Sequence, residues 1–428
     1  MPATDTQIKS FKTNSGNNYY YSSFDNKIYP LCGNNPCNRG YILNYCLDDK
    51  YDVNNITTFI IEITQQCNLR CKYCCYSGDY ENRRSHGNVE MSQDTLCDCI
   101  HFIETHLNPR DEQINVDFYG GEALLAREKI EWVIHQLINK LPTISFNFYI
   151  SSNGILLNEE NIRWIHNTPG LNITITIDGD KKQHDKNRVS STGKGSFDII
   201  MRNLSVFKSL FPESFKNKVR FISTVSSIED IITLNDFWCQ NSVLQENRPF
   251  HISYIIPNFK KGEAFQSHED KFINFYNQAF QCYKENKNNI LSDEFKRLIN
   301  RIEHRAFFCL PETQTFSSCL NNQYSCFISA NGELYICEKM TQNHRLGNLK
   351  TGVDLNKCKS LNESFYQRKQ DFCSSCWANR LCRICATNLN YSNIQFSQYC
   401  EFEKMKISTA LLFYCEKLEY EKNFKINR

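Results

Sequence analysis

Cysteine is the residue type whose number and spacing in this sequence most clearly indicate chemistry. The chain holds 22 cysteines among 428 residues, and the first group is the C-x3-C-x2-C array Cys67, Cys71 and Cys74. Three thiolates on one short loop can hold three irons of a [4Fe–4S] cluster and leave the fourth iron open to a ligand. A structural zinc site would need a fourth ligand to close it, and Cys75 is poorly placed for that because adjacent cysteines rarely bind one ion with good geometry. The array therefore predicts a reactive iron–sulfur centre.

A second group of cysteines lies after residue 306 and is large enough for two further clusters. Its spacing is C-x6-C-x5-G-x4-C, then C-x2-C-x5-C-x2-C, then a single cysteine: Cys319, Cys326, Gly332, Cys337, Cys373, Cys376, Cys382, Cys385 and Cys400. Eight cysteines are the number that two fully ligated [4Fe–4S] clusters require. A C-x2-C pair is also common in zinc sites, so a zinc-stapled binding module without catalysis is an alternative.

Short polar and glycine-rich motifs follow several β-branched or aromatic runs between the two cysteine groups. Glycines at such places let the backbone approach a ligand closely. In chain order the motifs are Gly120-Gly121-Glu122, Ser152-Asn153-Gly154, Thr176-Ile177-Asp178-Gly179, the segment 184–188 and the segment 193–197. Each motif alone could be an ordinary turn at the end of a strand, but five in succession indicate a ligand site.

The elements that must position these motifs alternate between strands and helices from about residue 57. Apolar and β-branched runs predict strands near 58–63, 114–119, 146–150, 173–177, 219–223 and 251–255. Helical periodicity begins after Ser92, which is a suitable N-cap, and recurs after the second strand. Such alternation predicts parallel βα units, whose ligands lie at the carboxyl ends of the strands. The motifs fall at those ends.

The array with Tyr73 before its last cysteine, together with the strand-end motifs, resembles the radical S-adenosylmethionine (SAM) superfamily. The second cysteine group resembles the SPASM extension, the auxiliary-cluster domain of radical SAM peptide maturases. The resemblance implies an α/β fold with a partial (β/α)6 radical SAM barrel and a cysteine-rich SPASM domain. We expect four segments: an N-terminal β-hairpin segment over 1–56, the radical SAM core over 57–257, a helical bridge over 258–305 and the SPASM-type domain over 306–428.

The resemblance also implies the cofactors and the residues that hold them. It implies three [4Fe–4S] clusters, one reactive and two auxiliary, and SAM, whose reductive cleavage yields a 5′-deoxyadenosyl radical that abstracts hydrogen from an unactivated carbon. The residues implied in SAM binding are Tyr73, Gly120, Gly121, Glu122, Ser152, Asn153, Thr176, Asp178 and Arg188.

The auxiliary clusters would each take four cysteines in the pattern of the family. The first would use Cys319, Cys326, Cys337 and Cys385, and the second would use Cys373, Cys376, Cys382 and Cys400. The last gap of the second quartet is two residues here and usually three in the family, which puts the place of Cys385 in question. Cys309 is the candidate substitute.

One acidic residue and the N-terminal segment bear on the reaction. In sulfatase-maturing relatives an acidic residue directly after the third of these cysteines acts as a general base, which makes Glu338 the candidate catalytic residue. The leading hypothesis is maturation of a ribosomal precursor peptide by hydrogen abstraction followed by a cross-link or an oxidation. The Tyr-rich hairpin before residue 57 favours it, since a leader peptide could add a strand there. The alternative is an anaerobic sulfatase-maturing enzyme that forms formylglycine.

Composition bears on partners and location. Lys+Arg number 49 and Asp+Glu 47, and this net charge of +2 gives no basis for general nucleic-acid binding. No run of about 18 apolar residues is present, and residues 1–16 lack the apolar core of a secretory signal. We therefore expect a cytoplasmic protein with no membrane partner and an electron donor such as flavodoxin or ferredoxin. The scattered cysteines are expected to pack as small apolar residues: Cys32, Cys37, Cys46, Cys97, Cys99, Cys239, Cys282, Cys358 and Cys415.

Overall fold

The computed structural model describes residues 8–31, 44–48, 50–51, 56–74, 76–77, 85–107, 113–255, 265–307, 313–316, 318–321, 324–340, 342–382, 385 and 392–422. Its strands are β1 (Ile8–Lys12), β2 (Asn18–Ser22), β3 (Lys27–Pro30), β4 (Asn44–Leu47), β5 (Thr58–Thr64), β6 (Gln113–Gly120), β7 (Ser145–Ser152), β8 (Leu171–Thr176), β9 (Val219–Val225), β10 (His251–Tyr254), β11 (Thr313–Phe316), β12 (Ser325–Ile328), β13 (Glu333–Tyr335), β14 (Gly347–Asn348) and β15 (Gly352–Val353). Its α-helices are α1 (Gln93–His106), α2 (Arg127–Lys140), α3 (Glu159–Asn167), α4 (Lys181–Asn187), α5 (Phe197–Leu210), α6 (Pro212–Lys218), α7 (Asp230–Gln240), α8 (Phe265–Lys284), α9 (Ile290–Glu303), α10 (Leu355–Cys373) and α11 (Asn393–Tyr420).

The chain forms two compact units. The core unit contains residues 49–256 and 318–361, and the second unit contains residues 1–48, 257–317 and 362–428. The expected segment boundaries at 57, 258 and 306 stay predictions. Among the described residues, no helix is both long and apolar enough to cross a membrane.

The core unit is built on a sheet of ten strands in the order β10-β9-β8-β7-β6-β5-β12-β13-β14-β15. The six strands from β5 to β10 are parallel to their neighbours and are separated along the chain by helices α1 to α7. β12 adds to β5 in parallel, and β13 to β15 continue the sheet antiparallel. The predicted α/β class with a (β/α)6 core is therefore confirmed.

The two faces of this parallel sheet differ in polarity. Alternate residues of β6 are wholly buried apolar side chains, namely Ile114, Val116 and Phe118. The residues between them belong to the opposite face, which we call the polar face: Asn115, Asp117, Tyr119, Tyr149, Ser151, Thr174, Thr176 and Arg220. Parallel sheets covered on both faces are apolar on both, so this polarity marks the face that receives a polar ligand.

The second unit combines a small sheet with long helices. β1, β2 and β3 form an antiparallel sheet in which Tyr21 pairs with Ile28, which confirms the predicted hairpin and adds a third strand to it. Its helical core is aromatic: Phe280 of α8 stacks on Phe295 of α9 at 4.9 Å between ring centroids, and Phe413 of α11 meets Phe295 edge-on at 6.2 Å.

Candidate functional site

The loop that carries the first three cysteines follows β5 directly and directs backbone donors at its sulfur atoms. Leu69 N–H donates to Cys67 Sγ at 3.4 Å, and Tyr76 N–H donates to Cys74 Sγ at 3.4 Å. The pKa of Cys67 is raised to about 11, chiefly by burial; Leu69 N–H opposes the rise, and Glu122, Cys71 and Cys74 add to it. Burial also raises the pKa of Cys71. Half-buried thiols whose pKa is raised need a cationic partner to become thiolates, and iron is such a partner.

The same loop is anchored to the segment that follows α4. Arg70 N–H donates to Val189 O at 2.7 Å, and Lys72 N–H donates to Asn187 O at 3.0 Å. The cysteine loop is therefore bound on one side to β5 and on another to residues 187–189, two segments far apart in sequence.

Two glycines at the end of β6 allow a direct backbone contact with the residues that lead into the cysteine loop. A Cβ on Gly120 would lie 2.0 Å from Thr64 O, and one on Gly121 would lie 2.2 Å from Gln66 O. Gly120 also has φ +136°, a conformation that favours glycine. Gly121 N–H donates to Thr64 O at 2.9 Å, so no side chain fits between these backbones.

Glu122 joins two of the strand-end motifs in the interior. Its side chain is 1% exposed, and its carboxylate accepts three hydrogen bonds, from Leu124 N–H at 3.2 Å, Ser152 Oγ at 2.8 Å and Asn153 N–H at 2.7 Å. Burial raises the pKa of Glu122 against the effect of these donors. Asn153 Nδ2 in turn donates to Asn68 Oδ1 at 2.6 Å, within the cysteine loop. Glu122 thus positions the edge on which SAM was expected to bind.

Tyr73, Asp178 and Arg188 form a buried chain of hydrogen bonds beside the cysteines. Arg188 Nη1 donates to the Tyr73 hydroxyl at 2.8 Å, which donates to Asp178 Oδ2 at 2.6 Å. Burial raises the pKa of Asp178 and of Tyr73. Burial by itself would lower the pKa of Arg188, but Tyr73, Cys71 and Asp178 raise it on balance. A permanent positive charge therefore lies next to the cysteine loop.

The two remaining motifs fold into one support for Arg188. His184 is wholly buried, and its Nε2 lies 3.0 Å from Ser196 Oγ, which donates to Arg188 O at 3.1 Å. Asp185 Oδ1 accepts the backbone N–H groups of Ser196 at 2.9 Å and of Phe197 at 3.0 Å. Burial lowers the pKa of His184 to about 3, with Arg188 adding to the effect, so this imidazole is neutral at physiological pH.

The edge formed by these motifs offers a polar group that fits SAM. Arg188 is 5% exposed, and its Nε has no hydrogen-bond partner among the residues the structure describes. A buried donor without a partner costs about 1–3 kcal/mol, and the ribose hydroxyls or the carboxylate of SAM would satisfy it. Thr176 ends β8 on the same polar face.

The cysteines expected around the first auxiliary cluster lie in different surroundings. Cys319 is exposed, Cys337 is half-buried, and Cys326 is buried in β12. The pKa of Cys326 is raised to about 12, chiefly by burial and then by the nearby Cys358 thiol. Cys326 in turn raises the pKa of the buried Cys99 thiol, after burial itself. Cys385 belongs to the second unit and is exposed, and Cys309 lies outside the described residues.

The other scattered cysteines divide by exposure. Cys99, Cys358 and Cys415 are buried, as expected for small apolar residues, whereas Cys46, Cys97 and Cys239 are exposed. Cys282 is half-buried, and Cys32 and Cys37 lie outside the described residues.

The four cysteines expected around the second auxiliary cluster line one cavity in the second unit. Cys373, Cys376, Cys382 and Cys400 surround a space of about 100 Å³. Within the described part of the chain, no three Cys, His, Asp or Glu side chains converge tightly enough to hold one metal ion. The four thiols share one cavity wall.

The polar face also holds charged groups that the sequence motifs did not single out. Asp117 of β6 pairs in register with Tyr149 of β7, and the Arg220 guanidinium lies 4.9 Å from the Tyr149 ring centroid. The pKa of Asp117 is raised to about 6, chiefly by burial and then by Glu338, while Arg220 opposes both. Glu338 therefore lies close to Asp117. The sequence feature that could have identified Asp117 is a carboxylate between the apolar residues of a predicted strand.

Comparisons with known proteins agree with this geometry. The family model described as "Radical SAM superfamily" matches residues 61–225. The cysteine-type anaerobic sulfatase-maturating enzyme of Clostridium perfringens (strain 13 / Type A) is 24% identical over 373 residues, which are 79% of this chain and 91% of that protein. The radical SAM cyclopropyl synthase TigE of Paramaledivibacter caminithermalis is 22% identical over 182 residues, 39% of this chain and 37% of that protein.

Solved structures share the fold. Native anSMEcpe with bound AdoMet has a TM-score of 0.61 and 17% identity, and the alignment covers 86% of this chain and 100% of that chain. The same protein with bound AdoMet and Cp18Cys peptide has a TM-score of 0.58 and 18% identity, with 86% and 99% covered.

Proposed function

We propose that the chain is a radical SAM enzyme of the SPASM type and that it oxidises or cross-links a residue of a ribosomal precursor peptide. The observation that carries the proposal is the convergence of three features at one edge of the polar face. These are the cysteine loop, the Glu122 network and the buried Arg188.

The reactive centre is proposed to bind a [4Fe–4S] cluster at Cys67, Cys71 and Cys74 and to hold SAM with Arg188 and Thr176. When bound, the cluster and SAM supply a 5′-deoxyadenosyl radical that takes a hydrogen atom from the substrate. The protein's part is to orient SAM and keep water out. Arg188 Nε offers a fixed donor, and Glu122 fixes the two strand ends on which SAM rests.

The charged groups of the polar face are proposed to meet the peptide. Glu338 accepts the proton that the substrate loses as it is oxidised, and Asp117 beside it favours a substrate with a cationic or hydrogen-bond-donating group. Arg220, held over Tyr149, limits the negative charge at this place. The electron donor is proposed to be a flavodoxin or a ferredoxin.

Two auxiliary clusters are proposed in addition to the reactive one. The cavity in the second unit supports a cluster at Cys373, Cys376, Cys382 and Cys400. The first auxiliary cluster is proposed at Cys319 and Cys337 with further ligands among Cys309, Cys326 and Cys385. Of these three candidates, Cys326 is the least suited, because its thiol is buried in a strand beside Cys358.

Formation of formylglycine in a sulfatase is a second candidate function. It is favoured by the relative from Clostridium perfringens, because that similarity extends over 91% of the relative's length. Glu338 would have the same role in either reaction, since both remove a proton and electrons from the residue that is modified.

Mass spectrometry of the modified peptide separates the two functions. We expect a precursor peptide co-expressed with the enzyme to lose two hydrogens, as a cross-link requires. A cysteine-containing sulfatase peptide would instead exchange sulfur and two hydrogens for oxygen if the second function holds. Formation of formylglycine together with an unchanged precursor peptide would overturn the leading proposal.

The role of Glu338 is tested by separating SAM cleavage from product formation. Glu338→Gln removes the base but leaves the reactive loop intact, so SAM should still be cleaved while modified peptide disappears. Glu333→Gln is the matched control, because Glu333 lies five residues earlier and pairs with the exposed Arg345 at 2.9 Å. Wild-type yield of modified peptide from Glu338→Gln would contradict the role.

A further inference from the structure

One of the buried polar side chains lining the cavity in the second unit has an amide that makes no hydrogen bond to a described residue. Asn379 lies between Cys376 and Cys382 in sequence and lines the cavity with them. Its backbone N–H donates to Cys376 O at 3.2 Å, and Cys382 N–H donates to Ala378 O at 2.8 Å. These bonds fold residues 376–382 into a compact turn, and Asn379 in that turn lines the same cavity as the cysteines.

The amide of Asn379 has no partner in the part of the chain that the structure describes. The residue is 8% exposed, and neither Nδ2 nor Oδ1 makes a hydrogen bond there. Leaving a buried amide group unsatisfied costs about 1–3 kcal/mol. An amide kept in this state at the wall of a cavity indicates that the occupant of the cavity supplies an acceptor.

The groups around Asn379 indicate what that acceptor is. Ionised cysteine sulfurs and the sulfides of an iron–sulfur cluster both accept hydrogen bonds, and such bonds are one of the ways a protein sets a cluster's reduction potential. A hydrogen bond of this kind stabilises the more negative, reduced form more than the oxidised form. Asn379 Nδ2 is therefore suited to raise that potential.

Two lysines act in the same direction. Lys369 of α10 lies beside Cys373 and Cys382, and Lys404 of α11 lies beside Cys376 and Cys400. Both lysines line the cavity, so positive charge faces the cysteines from each of the two helices.

The cavity also has two carboxylates, and each is paired with a cation. Glu401 binds Lys404 at 2.8 Å, and Glu403 pairs with Lys406 and with Arg301, the latter at 3.7 Å. Both acids on the cavity wall therefore have cationic partners, and Lys369 is placed beside two of the cysteines.

We propose that the Asn379 side-chain amide donates a hydrogen bond to a sulfur of the second auxiliary cluster and, together with Lys369, raises the reduction potential of that cluster. The inference rests on the proposed cluster at these four cysteines. It assigns the cluster to accepting an electron rather than to a purely structural role, because a raised potential is of use only if the cluster is reduced.

A redox titration of the anaerobically reconstituted full-length enzyme tests this, with electron paramagnetic resonance as the readout. In Asn379→Leu, which keeps the branched shape of the side chain and loses the donor, one auxiliary couple should shift to lower potential. We expect about a tenfold lower ratio of reduced to oxidised cluster at a given potential, which is about 59 mV for one electron. Lys369→Gln should shift the same couple in the same direction, and Asn379→Gln, which restores a donor, should recover part of the shift.

The controls distinguish this inference from the proposed function. Lys417→Gln removes a positive charge from α11 at a residue that neither lines the cavity nor pairs with a residue lining it, so its couples should match the wild type. Unchanged couples in Asn379→Leu with wild-type iron content overturn the inference and leave the cluster in place. If the wild type holds zinc and no iron, the proposed cluster fails and the inference with it. If Asn379→Leu binds no iron, Asn379→Asp is measured instead, and a potential equal to the wild type overturns the inference.

Discussion

Replacing Gly120 by alanine should disturb the cysteine loop by a backbone collision. The added Cβ would lie 2.0 Å from Thr64 O, whereas an ordinary C···O contact is about 3.3 Å, so Thr64 has to move by about 1.3 Å. That movement breaks the Gly121 N–H bond to Thr64 O, now 2.9 Å, which is worth about 0.5–1.5 kcal/mol. The φ of +136° adds about 1–2 kcal/mol of strain for a residue with a Cβ.

We therefore expect Gly120→Ala to lower the free energy of unfolding by about 2–3 kcal/mol. Because Thr64 leads directly into the cysteine loop, iron content after anaerobic reconstitution should fall as well. Urea unfolding can be followed by the fluorescence of the tryptophans of the core unit, Trp132, Trp164 and Trp238.

A second glycine separates strain from collision. Gly352 has φ +72° and nothing within 4 Å of an added Cβ, so Gly352→Ala carries only the conformational cost of about 1–2 kcal/mol. Its iron content should equal that of the wild type. If Gly120→Ala matches Gly352→Ala in both stability and iron content, the contact between β6 and the cysteine loop does not have the role assigned to it here.

Four further substitutions test other parts of the site. The pKa of Asp117 is raised from 3.8 to about 6, so its contribution to stability is complete below pH 3.8 and is lost as the pH rises through 6. The stability of the wild type relative to Asp117→Asn should fall over that range by at most about 3 kcal/mol, at 1.36 kcal/mol per pH unit, and parallel pH profiles of unfolding would contradict this. Arg188→Lys loses the bond to Tyr73 and the free Nε, so calorimetry should find SAM binding weakened at least about tenfold; wild-type affinity would remove Arg188 from the SAM site. Cys326→Ala should keep wild-type iron content while Cys337→Ala lowers it, and equal losses would make Cys326 a ligand.

The strand-end motifs could be found from the sequence because they are local. At Gly120 and Gly121 two backbone segments lie so close together that a Cβ has no space. Such a requirement can be read from the sequence, because it is met by glycine. The alternation of strands and helices predicted the parallel order of β5 to β10 for a similar reason, since each βα unit is defined by its own periodicity. The hairpin of β2 and β3 was predicted from its turn, whereas β1 was missed because its short strand carries a weak pattern.

Other features could not be predicted because they join distant segments. Asp117 and Glu338 are 221 positions apart (338 − 117), and only the parallel pairing of β12 with β5 brings the second into the core unit with the first. The same pairing buries Cys326, which spacing alone had grouped with the exposed Cys319.

The sequence by itself determined the residue types and spacings on which the proposed chemistry depends: three cysteines on one loop, three motifs at strand ends, two further motifs at helices α4 and α5, and a second group of eight cysteines. Those features are patterns of residue type over short distances, and they carry their meaning without a fold. Tertiary structure decided which of these residues face a ligand and which support others. In the structure, Glu122 positions two strand ends, and Arg188 is a buried donor whose Nε has no partner among the described residues. Asn379 lines the cavity of the second unit together with four cysteines. Burial and hydrogen bonding across the fold determine these roles, and neither is a property of a local stretch of sequence.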